Sequence, residues 1–265
     1  MASASEQRED RIELPYGLWS GEHRLREVSV RPLGGWDELR INEAIEAGFP
    51  AVRIVTDSLA RNVNCDGAAL GVTNAAALTI GDREVLLRAI YAVTVASKIS
   101  AVAHCTAGCG GAAEFDVDLP SLTRKPPEAG PTHRLRLGRK QVSIRLPTGA
   151  DVERVLSMGT DVERLLAGCV AGKIDALAPV AAAIERLDPN AECKLAVSCP
   201  ECGAPLHLYL DGFALLRAAV MAHGGIFRQI DLLARTYGWS EDEILALPRA
   251  RRLRYCVLVE EGVGR

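Results

Sequence analysis

The reading of this chain turns on two short stretches, His104-Cys105-Thr106-Ala107-Gly108-Cys109-Gly110-Gly111 and Cys199-Pro200-Glu201-Cys202-Gly203. In the second, two thiols two residues apart can grip one tetrahedral cation, because a tight turn between them aims both sulfurs inward. Glycine after the second cysteine permits the positive φ that such a turn often needs. One knuckle of this kind supplies two ligands, so a partner pair is expected, and the first stretch fits that role. The surroundings match in layout. Residues 99–104 enter the first cluster as 194–198 enter the second, and 111–118 leave the first as 203–210 leave the second. Each cluster is expected at the mouth of a hairpin. Pairing them predicts a four-thiolate zinc ribbon, with Cys105, Cys109, Cys199 and Cys202 holding a structural Zn²⁺. Four thiolates leave no open position for water or substrate, so such a site is structural rather than catalytic. The first pair is less regular, with three residues between its cysteines, and His104 is an alternative ligand. A metal-free pair of β-turns and a redox Cys-x-x-Cys are the competing readings; the latter lacks the surrounding βαβ pattern of thioredoxin-like motifs.

Working outward, 265 residues with 48% hydrophobic and 25% charged side chains describe an ordinary globular protein, long enough for one large or two smaller domains. A formal net charge of -3 gives no global attraction to nucleic acid. Eight cysteines are too few for a disulfide scaffold, and the four outside the clusters, Cys65, Cys169, Cys193 and Cys256, are expected as small buried hydrophobes. No apolar run reaches the roughly 18 to 20 residues of a membrane span. The polar, acidic N-terminus reads as a short disordered tail of a protein kept in the cytosol, where thiols stay reduced.

Alternation over Ile12 to Leu33 predicts a β-hairpin around Ser20-Gly21, followed by a helix from Trp36 to Ala47. Residues 51–63 read as a helix, 64–78 as a loop of small residues, and 79–93 as an amphipathic helix. A linker of Pro and Gly follows Pro120, and a second hairpin is expected over His133 to Leu146. Thr148 with Asp151, and Thr160 with Glu163, have the spacing of helix caps. Asp-Val-Glu-Arg occurs at both 151 and 161 and is read as two helix starts, not a repeat. Helices are expected over 174–187, over Phe213 to Tyr237 with a bend at Gly224-Gly225, and over Arg249 to Glu261 after a capping box at Ser240. The fold class is α+β: an N-terminal β-hairpin and helices, a split zinc ribbon with an inserted α/β segment, and C-terminal helices. The divisions are a tail over 1–12, an N-terminal part with the first zinc half over 13–119, an insertion over 120–193, and the second zinc half with the last helices over 194–265.

Catalytic signatures are missing. There is no His-x-Glu with Pro-Cys-x-x-Cys, no His-Glu-x-x-His, no phosphate-binding Gly-x-x-x-x-Gly-Lys and no Gly-x-Ser-x-Gly. His23, His133, His207 and His223 are isolated, and the chain is read as not an enzyme. Arg249, Arg251, Arg252 and Arg254 read as a solvated helix face, with Leu253, Val257 and Leu258 marking the packed side.

Several pieces together resemble the baseplate proteins of contractile-tailed phages, as in the T-even hub assembly pathway, and of phage-like contractile injection systems. They are residues 27–38 (Glu-Val-Ser-Val-Arg-Pro-Leu-Gly-Gly-Trp-Asp-Glu), 78–87 before the first cysteine pair, 144–151 (Ile-Arg-Leu-Pro-Thr-Gly-Ala-Asp), Cys199-Pro-Glu-Cys-Gly203, and 237–252 near the end. Their order covers most of the chain, and the Cys-x-x-x-Cys first pair is the departure. The resemblance implies a non-enzymatic protein that builds, or remains within, the hub at the end of a tail tube. Its partners would be baseplate hub, spike or tail-tube proteins, with no nucleic acid. Its place would be the bacterial cytoplasm during assembly or the baseplate of the finished particle. The runner-up is a zinc-ribbon nucleic-acid-binding or transcription accessory protein.

Overall fold

The computed structural model describes residues 10–20, 23–138, 140–159, 161–172, 174 and 176–263. The chain begins with an antiparallel hairpin, β1 (Asp10–Ser20) and β2 (His23–Val30), whose register shifts between Glu13 and Leu18. At that irregularity Gly17 has φ +74°, and a Cβ there would meet the Leu25 carbonyl oxygen at 2.2 Å, so only glycine fits. Two helices follow, α1 (Gly35–Glu46) and α2 (Ala51–Asn62), then β3 (Val63–Cys65), which pairs with β2. A short β4 (Ala68–Ala69) and α3 (Gly71–Ala77) lead to α4 (Ile80–Thr94) and a hairpin of β5 (Lys98–His104) and β6 (Ala112–Asp118). The chain then repeats the plan: hairpin β7 (His133–Leu137) and β8 (Lys140–Ile144), helices α5 (Gly149–Ser157) and α6 (Val162–Gly168), and β9 (Val170–Ala171) paired with β8. Helix α7 (Ala178–Leu187) and the hairpin β10 (Cys193–Ser198) and β11 (Pro205–Leu210) complete it. Four C-terminal helices close the chain: α8 (Gly212–Met221), α9 (Gly225–Tyr237), α10 (Glu241–Ala246) and α11 (Arg249–Val263).

The likeness of the two units reaches individual atoms. Ser29 and Val30 of β2 pair with Asn64 and Val63, as Ser143 and Ile144 of β8 pair with Ala171 and Val170. The next residue is arginine in both, and its amide donates across the pair, Arg31 to Asn62 O at 3.0 Å and Arg145 to Cys169 O at 2.9 Å. Each guanidinium then grips the aspartate six residues on with both nitrogens, Arg31 with Asp37 at 2.7 and 3.1 Å and Arg145 with Asp151 at 2.5 and 2.8 Å. Each aspartate also accepts the amide three residues before it, from Gly34 and from Thr148, which caps the following helix. The two units therefore share a strand–arginine–capped-helix corner, in which Asp151 answers to Asp37 and not to Asp161.

The first unit, α4 and α8 enclose the largest core, with Leu14, Val30, Leu59, Leu78, Leu86 and Ile90 fully buried or nearly so. The second unit has its own core of Ile144, Leu146, Val180 and Leu187, closed by Tyr16 from β1. The Tyr16 hydroxyl donates to Leu187 O, tying the expected insertion to the first hairpin. Helices α9, α10 and α11 pack around Leu233, Ile244, Cys256 and Val259.

The architecture is mixed α+β, with small antiparallel sheets and C-terminal helices, as expected. Several details differ. Residues 10–12, assigned to a disordered tail, are the start of β1 and pair with Val28 to Val30; residues 1–9 lie outside the described residues. The loop expected over 64–78 contains β3, β4 and α3, because Leu70, Ala75 and Leu78 bury against the first core and neighbouring strands supply pairing that composition does not reveal. Helix α6 is capped by Asp161, whose side chain accepts the Arg164 amide; the expected cap Thr160 lies outside the described residues, as does the Gly21 turn. Helix α7 begins at Ala178 rather than 174, with Pro179 in its first turn. The helix expected over 213–237 is two helices, broken where His223, Gly224 and Gly225 take φ of 55°, 82° and 73°.

The C-terminal arginines divide. Arg251 and Arg254 are exposed, but Arg252 is fully buried. Its guanidinium meets Glu38 at 2.6 Å and Gln229 at 2.7 Å, and Arg249 meets the other Glu38 oxygen at 2.6 Å. The solvated-face reading fails for these two because their partners lie over 200 residues away in α1. Val257 and Leu258 are exposed, and Cys256 and Val259 take the packed side.

Candidate metal centre

The two cysteine-tipped hairpins are local structures of strong alternation. In β5–β6, Ile99, Ala101 and Ala103 face inward with Phe115 and Val117; in β10–β11, Leu195 and Val197 do so with Leu206 and Leu210. Cross-strand pairs hold the outer faces, Ser100 donating to Asp116 at 2.8 Å and the Lys194 ammonium 5.5 Å above the Tyr209 ring. The inward faces share one apolar layer, so β11 lies against β5 and the two tips meet.

At the tips the four sulfurs of Cys105, Cys109, Cys199 and Cys202 lie within 4.8 Å of one another. The shortest separations run between hairpins, 3.6 Å for Cys105 with Cys202 and 3.6 Å for Cys109 with Cys199. Ligands about 2.3 Å from a central zinc at tetrahedral corners would stand about 3.8 Å apart. The donor set therefore has the size and composition of a tetrahedral thiolate site. His104 is exposed at the end of β5, paired with Ala112, and is not one of the gathered groups. Among the described residues no other group of three or more His, Cys, Asp or Glu side chains gathers closely enough to hold a metal.

The loops explain how unequal spacings reach one geometry. Gly110 and Gly203, each following the second cysteine of its pair, have φ of +75° and +72°. The extra residue of the first pair is absorbed at Gly108, φ +87°, a position the sequence marked only as an irregularity. Gly111 is required for another reason: a Cβ there would lie 2.8 Å from Glu201 Cγ and 3.0 Å from Cys199 Sγ, so the loops touch. Backbone amides serve the sulfurs, that of Ala107 at Cys105, Gly111 at Cys109 and Ala204 at Cys202. The Ala107 amide and the Cys109 thiol bring Cys105 down to about 7. The Gly111 amide favours a thiolate at Cys109, but its three sulfur neighbours hold it up at about 12. Four thiols this close resist ionising together, and a divalent cation at their centre relieves that conflict.

The remaining cysteines are unconnected to the cluster. Cys169, Cys193 and Cys256 are buried as expected, whereas Cys65 is half-buried and contacts Asp66. Among the other histidines His133 is buried, while His23, His207 and His223 are exposed. A buried carboxylate that the sequence did not single out, Asp82, accepts the Tyr16 and Gly17 amides at 2.9 and 2.7 Å; burial, with Asp188 nearby, pushes it up to about 7. No described helix is long and apolar enough to cross a membrane. No protein-family model matches the chain, and no match was found among curated proteins or solved structures.

Proposed function

We propose that this protein is a non-enzymatic structural or assembly protein in which Cys105, Cys109, Cys199 and Cys202 hold one structural Zn²⁺ as a split zinc ribbon. The observation that carries this reading is the convergence of four sulfurs from hairpins nearly 100 residues apart into one tetrahedral-sized cluster. An all-thiolate set of this geometry favours zinc among the common divalent ions and fills its coordination sphere. Zinc would supply a cross-link. The chain's own residues do the rest: the glycines shape the knuckles, the amides hold the sulfurs, and the apolar layer beneath aligns the hairpins.

Each structural unit contributes one cysteine pair, so the cross-link joins the units and sets the orientation of the surfaces they carry. A rigid body of this kind suits a part that docks other proteins. Leu156, Met158 and Val162, each more than half exposed on the second unit, give it apolar surface for such contacts. The resemblance of its motifs to contractile-tail baseplate proteins supports assigning that assembly to the baseplate hub of a phage-type tail or injection system, with hub, spike or tail-tube proteins as partners.

Two measurements test the proposal. Metal analysis of the purified protein should find one zinc per chain, and chelator should lower the melting temperature; absence of zinc with unchanged melting would refute the metal role. Mixing with hub, spike and tube proteins should give co-assembly. Salt-sensitive binding to DNA or RNA without co-assembly would instead favour a nucleic-acid-binding ribbon.

A further inference from the structure

The four gathered cysteines differ in how far solvent reaches them. Cys109 and Cys202 are exposed, Cys105 is half-buried and Cys199 is buried. The two 3.6 Å contacts each join an exposed cysteine to a more sheltered one, Cys202 to Cys105 and Cys109 to Cys199. Both run from one hairpin to the other, so neither is a redox Cys-x-x-Cys within a knuckle. Sulfurs that hold a metal are thiolates, and a thiolate within reach of solvent is the form that oxidants attack. A second sulfur already in contact turns that attack into a disulfide instead of a higher sulfur acid. The other cysteines lack this arrangement: Cys169, Cys193 and Cys256 are buried, and Cys65 contacts a carboxylate.

We propose that the cluster is a site of oxidative modification, at which a peroxide joins Cys202 to Cys105 and Cys109 to Cys199. In each pair the exposed thiolate attacks one peroxide oxygen and the O–O bond breaks. That sulfur becomes a sulfenic acid, and the second oxygen takes a proton and leaves as water. The sheltered thiolate then attacks the oxidised sulfur, the S–S bond forms, and the sulfenic hydroxyl leaves with another proton as water. Each disulfide gives two electrons to one peroxide, so two peroxides and four protons convert four thiolates into two disulfides and four waters. A bound Zn²⁺ loses its ligands and is released. Release rests on the zinc reading above; the pairing does not. Each unit supplies one cysteine pair, so both disulfides cross the seam between the units. Oxidation thus exchanges a metal cross-link for two covalent ones, whereas chelation leaves none.

The test treats the full-length wild type, with its metal content measured first, with two equivalents of hydrogen peroxide per chain, then digests it with trypsin without reduction. Cutting after Lys98, Arg124, Lys194 and Arg217 leaves residues 99–124 and 195–217, each holding one cysteine pair. These should be recovered as one linked species. Cleavage after Glu201, with fragmentation between Cys105 and Cys109, should then assign Cys105 to Cys202 and Cys109 to Cys199. Oxidised, zinc-free protein should melt roughly 5 °C or more above reduced protein stripped by chelator, because disulfides that close long loops restrict the unfolded chain. Absence of zinc before oxidation would refute the metal reading alone, and the peptide map still decides the pairing. Disulfides confined within each knuckle, sulfinic acids in their place, the opposite pairing, or melting no higher than that of the stripped protein would overturn the proposal.

Discussion

The two structural units solve the same problem with different chemistry. In each, the helix after the strand–arginine corner starts with a glycine, Gly35 or Gly149, and a buried arginine presses on it. A Cβ at Gly35 would lie 2.8 Å from Arg252 Nη1, and one at Gly149 would lie 1.9 Å from Arg83 Nη1. Both arginines are the fourth residue of a 15-residue helix, α11 or α4, which follows a short helix. At the first joint Glu38 neutralises Arg252 and Arg249 together. At the second, Val152 stands where Glu38 stands, and Arg83 is held by carbonyls and a hydroxyl alone; burial lowers its pKa to about 10. The same backbone thus tolerates a buried guanidinium either paired with a carboxylate or solvated by main-chain oxygens. Only the paired version leaves a second charge stranded when one partner is lost.

The largest expected effect is at the seam where the units contribute one cysteine pair each. Structural zinc sites contribute on the order of 10 kcal/mol of apparent folding free energy in small peptides at neutral pH. Cys199→Ser, or chelation, should therefore melt the hairpins first. Hydrogen exchange in β5, β6, β10 and β11 should accelerate while that of α1 and α11 stays slow, and uniform acceleration would show that the seam is not a separate clamp.

Copying one joint into the other comes next. Glu38→Val leaves the buried Arg252 and the part-buried Arg249 without their carboxylate and should cost about 3–5 kcal/mol in urea unfolding. The reverse change, Val152→Glu, offers Arg83 a carboxylate and should be neutral or stabilising. Equal losses from both would mean that the joints are not equivalent.

A subtler contrast concerns two aspartates three residues after a threonine cap, Asp82 after Thr79 and Asp151 after Thr148. Burial works against ionisation at both. At Asp151 the Arg145 guanidinium and Thr148 outweigh it and hold the carboxyl well below its usual range, while at Asp82 burial prevails over two amides and the Arg24 charge and raises it to about 7. Because the folded pKa of Asp82 exceeds its unfolded value, its contribution favours folding at low pH and is lost as pH rises from about 4 to 7. Asp151 acts oppositely: its contribution is present above the unfolded value and is lost as pH falls through the depressed folded one. In metal-free protein, Asp82→Asn should flatten the fall in melting temperature between pH 4 and 7, and Asp151→Asn should lower melting at pH 7. An unchanged slope in Asp82→Asn would remove Asp82 as its source.

The smallest effect compares the knuckles. Gly110→Ala and Gly203→Ala each force a side chain into a left-handed turn with open space around it, at about 1 kcal/mol. Near-equal drops in melting temperature are expected despite the different cysteine spacing; a large inequality would show that the turns do different work.

Much of the site was legible because its signal is local. A cysteine pair with a following glycine states its own turn, and the strands on either side alternate with period two. The pairing of the halves was inferred from their matching layout. Glu38, Arg249 and Arg252 were not legible, since each sits in an ordinary charged helical stretch and only long-range contact separates a buried ion group from a solvated face. Helix α3 was missed for a related reason: Ala75 and Leu78 bury completely, but alanine-rich segments carry little periodic contrast. The likeness of the two units escaped because their common residues, Ser-x-Arg followed by Gly-x-Asp, are few and act through geometry.

By itself, then, the sequence determined the hairpins, most helices, their caps and the four cysteines, because hydrogen bonds, alternation and turn chemistry act over a few residues. The tertiary structure decided which charges are buried and which glycines receive an arginine. Those depend on segments up to 214 residues apart meeting in a medium where charge is costly, and no local pattern encodes that meeting.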